Sequence, residues 1–150
     1  MLTRLIRATS FLFPFILLAG CSSMAPESGS LTDLQTSSWV LNKLPGHSFD
    51  TDRRPTLRFN DEGNIEGYSG CNSYTASVSV NTDDIRITDI YGTKRLCKDS
   101  AMTFEAEFLD ALTRARMWNV EGKILNLKSS SGDVIMKFGR LGNPARPITN

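Results

Sequence analysis

Between Trp39 and Phe138 one short segment after another alternates apolar and polar residues with a period of two, and a single stretch with helical spacing interrupts the series. Trp39 and Leu41 alternate with Val40 and Asn42, and Leu57 and Phe59 alternate with Thr56, Arg58 and Asn60. Asp61-Glu62-Gly63 then supplies a hairpin turn into 64–68. Tyr74, Ala76, Val78 and Val80 fall on one face of a strand whose other face is Thr75, Ser77 and Ser79, as a half-buried strand requires. Residues 81–84 turn the chain into 85–90, and further strands are predicted at 117–121, 124–128 and 134–138, with turns near Gly122 and at 129–133. The interruption follows Cys97. Ala101, Phe104, Phe108, Leu112 and Ala115 recur every three or four residues, with Glu105, Glu107, Asp110 and Arg114 largely on the opposite side, and Asp99 or Ser100 is the expected cap. About eight strands with one amphipathic helix before the last three predict an α+β, mostly β fold: an antiparallel barrel-like roll with the helix packed on it.

The first 20 residues belong to a different grammar. Arg4 and Arg7 precede an apolar run at 11–18, containing Pro14 and ending in small residues, which is the pattern of a secretory signal. The run is too short to span a hydrocarbon core that needs about 20 apolar residues. Leu18-Ala19-Gly20-Cys21 resembles the bacterial lipobox, in which the cysteine thiol is acylated and becomes the new N-terminus. Acyl chains contribute about 0.8 kcal/mol per buried CH₂, so two or more give a stable anchor. In a host with two membranes, the resemblance to lipobox proteins implies that Ser22 after the cysteine, rather than Asp, favours the outer membrane, with the domain facing the periplasm. Residues 21–36 then read as a lipidated N-terminus and flexible tether, 37–140 as the folded domain, and 141–150, with Pro144 and Pro147, as a loose tail.

Lys and Arg number 17 against 16 Asp and Glu. Without Arg4 and Arg7 the balance is 15 against 16, a net −1 that carries no nucleic-acid footprint. Lipidation of Cys21 also resolves the odd cysteine count, leaving Cys71 and Cys97 as a pair for an oxidising compartment. Closing that loop of 26 positions would stabilise the fold by ~3.5 kcal/mol in the chain-entropy model. Two free buried thiols are the alternative. Two distant cysteines and a lone His47 lack the ligand spacing of a zinc site.

The most distinctive run is Gly67-Tyr68-Ser69-Gly70-Cys71-Asn72-Ser73-Tyr74. Gly67 and Gly70 permit close approach or unusual backbone angles, Asn72 can bond loop backbone, and Tyr74 brings apolar bulk with a polar tip. Together with Thr93-Lys94-Arg95-Leu96-Cys97 and a following helix containing Glu105 and Phe108, this run resembles the META-domain family, which includes the heat-inducible HslJ-like lipoproteins. The resemblance extends from about Trp39 to Phe138. It departs from the family pattern at Ala76 and Val78, where a Gly and a second aromatic are common, and at Arg95, where a Met is common. Gly70, Asn72 and Tyr74 are the candidate site, either as a binding surface or as fold construction.

Reactive constellations are not evident. Gly67-Tyr68-Ser69-Gly70 lacks the final glycine of a nucleophile elbow, since Cys71 occupies that place, and lacks the strand-to-helix context. His47 is expected in an exposed loop beside Pro45 and Gly46, and Arg53 and Arg54, preceded by Asp50 and Asp52, in a solvated mixed-charge loop. Glu105 and Glu107 point apart on a helix. There is no phosphate-cradling or dinucleotide motif, and no cofactor is expected. The expectation is a non-enzymatic envelope protein held to the membrane by its lipid. The resemblance implies a part in heat and antibiotic tolerance, through an unidentified envelope protein or small ligand, and no defined reaction. Alternatives are an inhibitor of an envelope-targeting enzyme such as lysozyme and, further off, a wall or envelope hydrolase.

Overall fold

The computed structural model describes residues 29–48 and 53–142, so Cys21, the leader and residues 143–150 lie outside the described residues. The elements are α1 (Leu31–Thr36), β1 (Ser38–Lys43), β2 (Thr56–Phe59), β3 (Ile65–Tyr68), β4 (Ser73–Val80), β5 (Ile85–Gly92), α2 (Asp99–Arg114), β6 (Met117–Glu121), β7 (Ile124–Lys128) and β8 (Val134–Arg140). All eight strands join one antiparallel sheet in the order β5-β4-β3-β2-β1-β8-β7-β6. Each strand pairs with its successor except β5, after which α2 intervenes, and β1 pairs with β8. The sheet curls until its two edges touch at the Asp84–Met117 bridge, where Ile85 N–H donates to Arg116 O (2.9 Å) and Trp118 N–H to Asp83 O (2.9 Å). Register shifts between Leu41 and Lys43, Thr75 and Ser77, and Leu127 and Lys128 add local bend and twist to that curl. The barrel-like roll of the sequence reading is the observed architecture.

The period of two explains the core. In β4, Tyr74 and Ala76 are buried while Ser73, Thr75 and Ser77 are exposed. Trp39, Leu41, Leu57, Ile65, Leu125, Leu127, Met136 and Phe138 fill the inside of the roll. Helix α2 closes it with Phe108, Ala111 and Leu112. The Phe108 ring meets Tyr74 and Phe138 edge-on, with centroids 5.8 and 6.5 Å apart, an arrangement the ring quadrupoles favour. No helix among the described residues is long and apolar enough to cross a membrane.

Three local expectations need correction. Residues 31–36, expected in the tether, form α1, whose Leu34 is fully buried. Ser30 and Asp33 make a reciprocal capping box that satisfies helix-end donors, Trp39 Nε1 donates to Leu34 O (3.1 Å), and Arg140 bonds Asp33 (3.2 Å). Those ties outweigh the lack of an apolar period in so short a segment. Secondly, α2 begins from Lys98 without a side-chain cap, and Asp99 sits in the first turn, where a negative charge complements the helix dipole. Thirdly, Leu141, the start of the expected tail, still donates its N–H to Ser38 O (2.8 Å), outside any strand.

Candidate functional site

The chain between β3 and β4 makes a sharp corner that glycine permits. A Cβ at Gly67 would lie 2.0 Å from Thr56 O on β2, a contact with backbone that cannot yield. Gly70 has φ +112°, and a Cβ there would strike the Phe104 ring at 2.7 Å. Tyr68 folds its hydroxyl back to donate to Gly70 O (2.5 Å). Its neighbour Ser69 is fully buried and donates its N–H to Asn72 O (2.8 Å), so the tight turn is internally bonded.

Asn72 is the hub of this corner. Its amide nitrogen donates to Glu105 Oε1 (2.9 Å) and contacts Cys71 Sγ (3.4 Å), while its backbone N–H donates to Glu105 Oε2 (2.8 Å). Its carbonyl oxygen Oδ1 accepts from Thr93 Oγ1 and from Arg95 N, both at 2.8 Å. Every polar position of the side chain is therefore engaged. The Ser69 hydroxyl is placed to donate to Glu105 or to Asn72 O (2.6 Å). Cys71 and Cys97 are joined in a disulfide with Cα atoms 6.1 Å apart, tying the corner to the residue before the α2 cap. Three pieces of chain, the corner, the 93–97 segment and α2, meet on one side chain.

Glu105 is the functional-looking residue that periodicity misplaced. It was expected on the outer side of α2, yet it is half-buried and turned into the corner. Burial acts to raise its pKa, but the hydrogen bonds from Ser69, from the Asn72 side chain and from the backbone N–H groups of Asn72 and Cys71 outweigh it and hold the carboxyl below its ordinary value. The residue is thus a charged acceptor at neutral pH. Tyr74 is 3% exposed, donates its hydroxyl to Thr56 O (3.0 Å), and has its phenol pushed far above the ordinary range by burial.

The remaining candidates are also occupied. His47 is partly buried rather than openly exposed: its Nε2 pairs with Glu107, and its ring meets Phe104 edge-on at 5.1 Å. Glu105 and Glu107 point to different partners, as two neighbours on a helix must. Among the described residues no group of three or more His, Cys, Asp and Glu is placed to hold a metal ion.

A family model described as the META domain matches residues 32–140. The chain belongs to the META-domain family. The match starts inside α1, ahead of the domain start at 37 expected from the sequence, which accords with the buried Leu34. An NMR structure of a protein from Burkholderia xenovorans is similar at a TM-score of 0.61 and 22% identity, covering 86% of this chain and 99% of that one. A second NMR structure is similar at 0.57 and 16% identity, covering 71% of this chain and 91% of its own. No curated protein matches the chain. At these identities the likeness shows the shared fold. The departures noted in the sequence become intelligible within this META domain. Ala76 is a buried core residue, and position 95 contributes its backbone N–H to Asn72, so a change of side chain leaves that tie in place.

Proposed function

We propose that this META-domain protein is a non-catalytic binding or structural module, held to the outer membrane on its periplasmic face through acylated Cys21 and contributing to heat and antibiotic tolerance. The observation that carries the non-catalytic reading is the commitment of the reactive-looking groups to the corner. Ser69, Asn72, Glu105 and both cysteines are bound to one another. A general base must be free to take a proton, and a nucleophilic thiol must be reduced. Support for the anchor is the signal followed by Leu18-Ala19-Gly20-Cys21.

The test compares survival of heat and antibiotic challenge in cells lacking the protein, restored with the wild type or with Cys21→Ser, while mass spectrometry reads the N-terminal peptide. Acylation at Cys21 and restoration by the wild type alone support the proposal. An unmodified Cys21, or full restoration by Cys21→Ser, contradicts the anchor, and failure of both forms to restore contradicts the stress role.

One observation favours inhibition of an envelope-targeting enzyme as a second reading. Leu96 is 93% exposed on a segment fastened by the disulfide, so an apolar side chain is presented rigidly to solvent. Dose-dependent inhibition of a lysozyme that is lost in Leu96→Ser would support it, and no inhibition at micromolar protein would contradict it.

A further inference from the structure

Of the eight described arginines, four are tied to partners, Arg86 lies on β5 in a different hollow that Asp84 also lines, and three converge. Arg58 pairs with Glu66, Arg114 with Asp110 (2.8 Å) and Arg140 with Asp33 (3.2 Å), while Arg116 bonds the carbonyls of Thr113 and Ala115. Arg53, Arg54 and Arg95 instead converge, with Thr56 and Tyr68, on a hollow of about 320 Å³. Among the described residues no carboxylate lines that hollow and no ion pair neutralises any of the three. The chain's overall charge is close to balanced, so this concentration is local.

The hollow is assembled by the fold. Arg53 and Arg54 enter before β2, whereas Arg95 comes from the segment between β5 and α2, more than forty positions later. The backbone of Arg95 is fixed by its N–H bond to Asn72 Oδ1 (2.8 Å), two residues before the disulfide at Cys97. Arg54 Nη1 donates to Asn42 Oδ1 (3.0 Å), which steadies that guanidinium and leaves its other donors unassigned. Thr56 Oγ1 accepts the Tyr68 N–H (3.0 Å), so its hydroxyl hydrogen is uncommitted, and Tyr68 is held by its bond to Gly70 O. The network that looked purely architectural thereby sets the position of one wall of a cationic hollow.

We infer that this hollow is a binding site for a phosphate-bearing anion. A guanidinium offers planar paired donors that match phosphate oxygens, keeps its charge at every physiological pH, and sheds water more readily than an ammonium. Three such groups on one hollow suit a ligand with more than one negative charge, such as a phosphomonoester or diphosphate, better than a single carboxylate. The phosphate can belong to a small soluble molecule or to a lipid headgroup. The chemistry at the protein is the same, and the inference does not depend on acylation of Cys21.

Calorimetric titration of the full Cys21→Ser chain with inorganic pyrophosphate tests the site, with Arg95→Gln and Arg54→Gln as site variants and Arg114→Gln as a control taken from a paired arginine. Saturable binding is expected, weakened about tenfold by each site variant, a typical effect of losing a charge-assisted contact, and unchanged by the control. A near-ultraviolet circular dichroism spectrum matching the wild type establishes that each variant is folded. In a second arm, the same proteins are sedimented with phosphatidylglycerol vesicles and with phosphatidylcholine vesicles. Arg95-dependent retention on the anionic vesicles assigns the site to a headgroup, and its absence alongside pyrophosphate binding assigns it to a soluble phosphate. No saturable pyrophosphate binding by the Cys21→Ser chain, or equal binding by folded Arg95→Gln, overturns the inference.

Discussion

Asn72 shows how one amide can be chosen for the number of its hydrogen bonds. Aspartate, nearly the same shape, would replace two donors by acceptors and set a second carboxylate against Glu105, which the amide now contacts at 2.9 Å. Asn72→Asp is therefore expected to lower stability at pH 7 by about 3 kcal/mol, through lost donors and like-charge repulsion. The deficit should ease in acid as one of the two carboxylates takes a proton, and urea unfolding at pH 7 and pH 4 measures both. Glu105 makes its own pH prediction. Its folded pKa lies below the ordinary 4.5, so the folded state holds the charged form more tightly than the unfolded chain does. The resulting stabilisation is complete above that ordinary value and is lost as pH falls through the folded one. The difference in urea midpoint between wild type and Glu105→Gln should accordingly be largest near neutrality and shrink below about pH 4. A difference that grows with acid would contradict the assignment. Neither role was legible in the sequence, because helical periodicity assigns Glu105 only a direction, and its partners stand 33 and 36 positions away.

At the scale of elements, α1 and the β3–β4 corner were the hardest parts to read. α1 is six residues long and buries only Leu34, too little for a periodic signal, although Ser30 and Asp33 stand at capping-box spacing and could have announced it. Leu34→Ala should destabilise the domain by about 3 kcal/mol, the usual consequence of truncating a fully buried leucine, as measured by urea unfolding. A change under 0.5 kcal/mol, the range usual for surface substitutions, would return this segment to the tether. The strands were easier, since an alternation such as that from Tyr74 to Val80 survives folding unchanged when one side faces the core. Gly67 could be recognised only as permissive. The 2.0 Å approach to Thr56 O shows what its missing side chain makes room for. Gly67→Ala should separate β2 from β3 and cost about 3 kcal/mol, at the upper end for overpacking, with amide signals of 56–59 shifting most in NMR spectra. Helix α2 was legible along its length from Phe104, Phe108 and Leu112, but its start was not, because the 93–98 segment is placed by Asn72 and the disulfide rather than by a cap.

Over the described residues the chain is an up-and-down roll with a single interruption, and the Cys71–Asn72 corner holds the intervening chain in place. The strand-rich sequence predicted the roll. What it could not show is how the chain leaving β5 is fastened, since that depends on groups brought together only by folding. The disulfide closes this connection and should contribute ~3.5 kcal/mol in the chain-entropy model. The same fastening sets Arg95 beside Arg53 and Arg54, so stability and the cationic hollow share a cause. The most direct test is a double-mutant cycle on global urea unfolding with Asn72→Ala, Glu105→Ala and the pair. Each single change is expected to destabilise by about 2 to 3 kcal/mol, and the pair to cost about 2 kcal/mol less than their sum, because the first removal already breaks the shared bonds. Single changes within 0.5 kcal/mol of wild type, adding without coupling, would contradict that expectation.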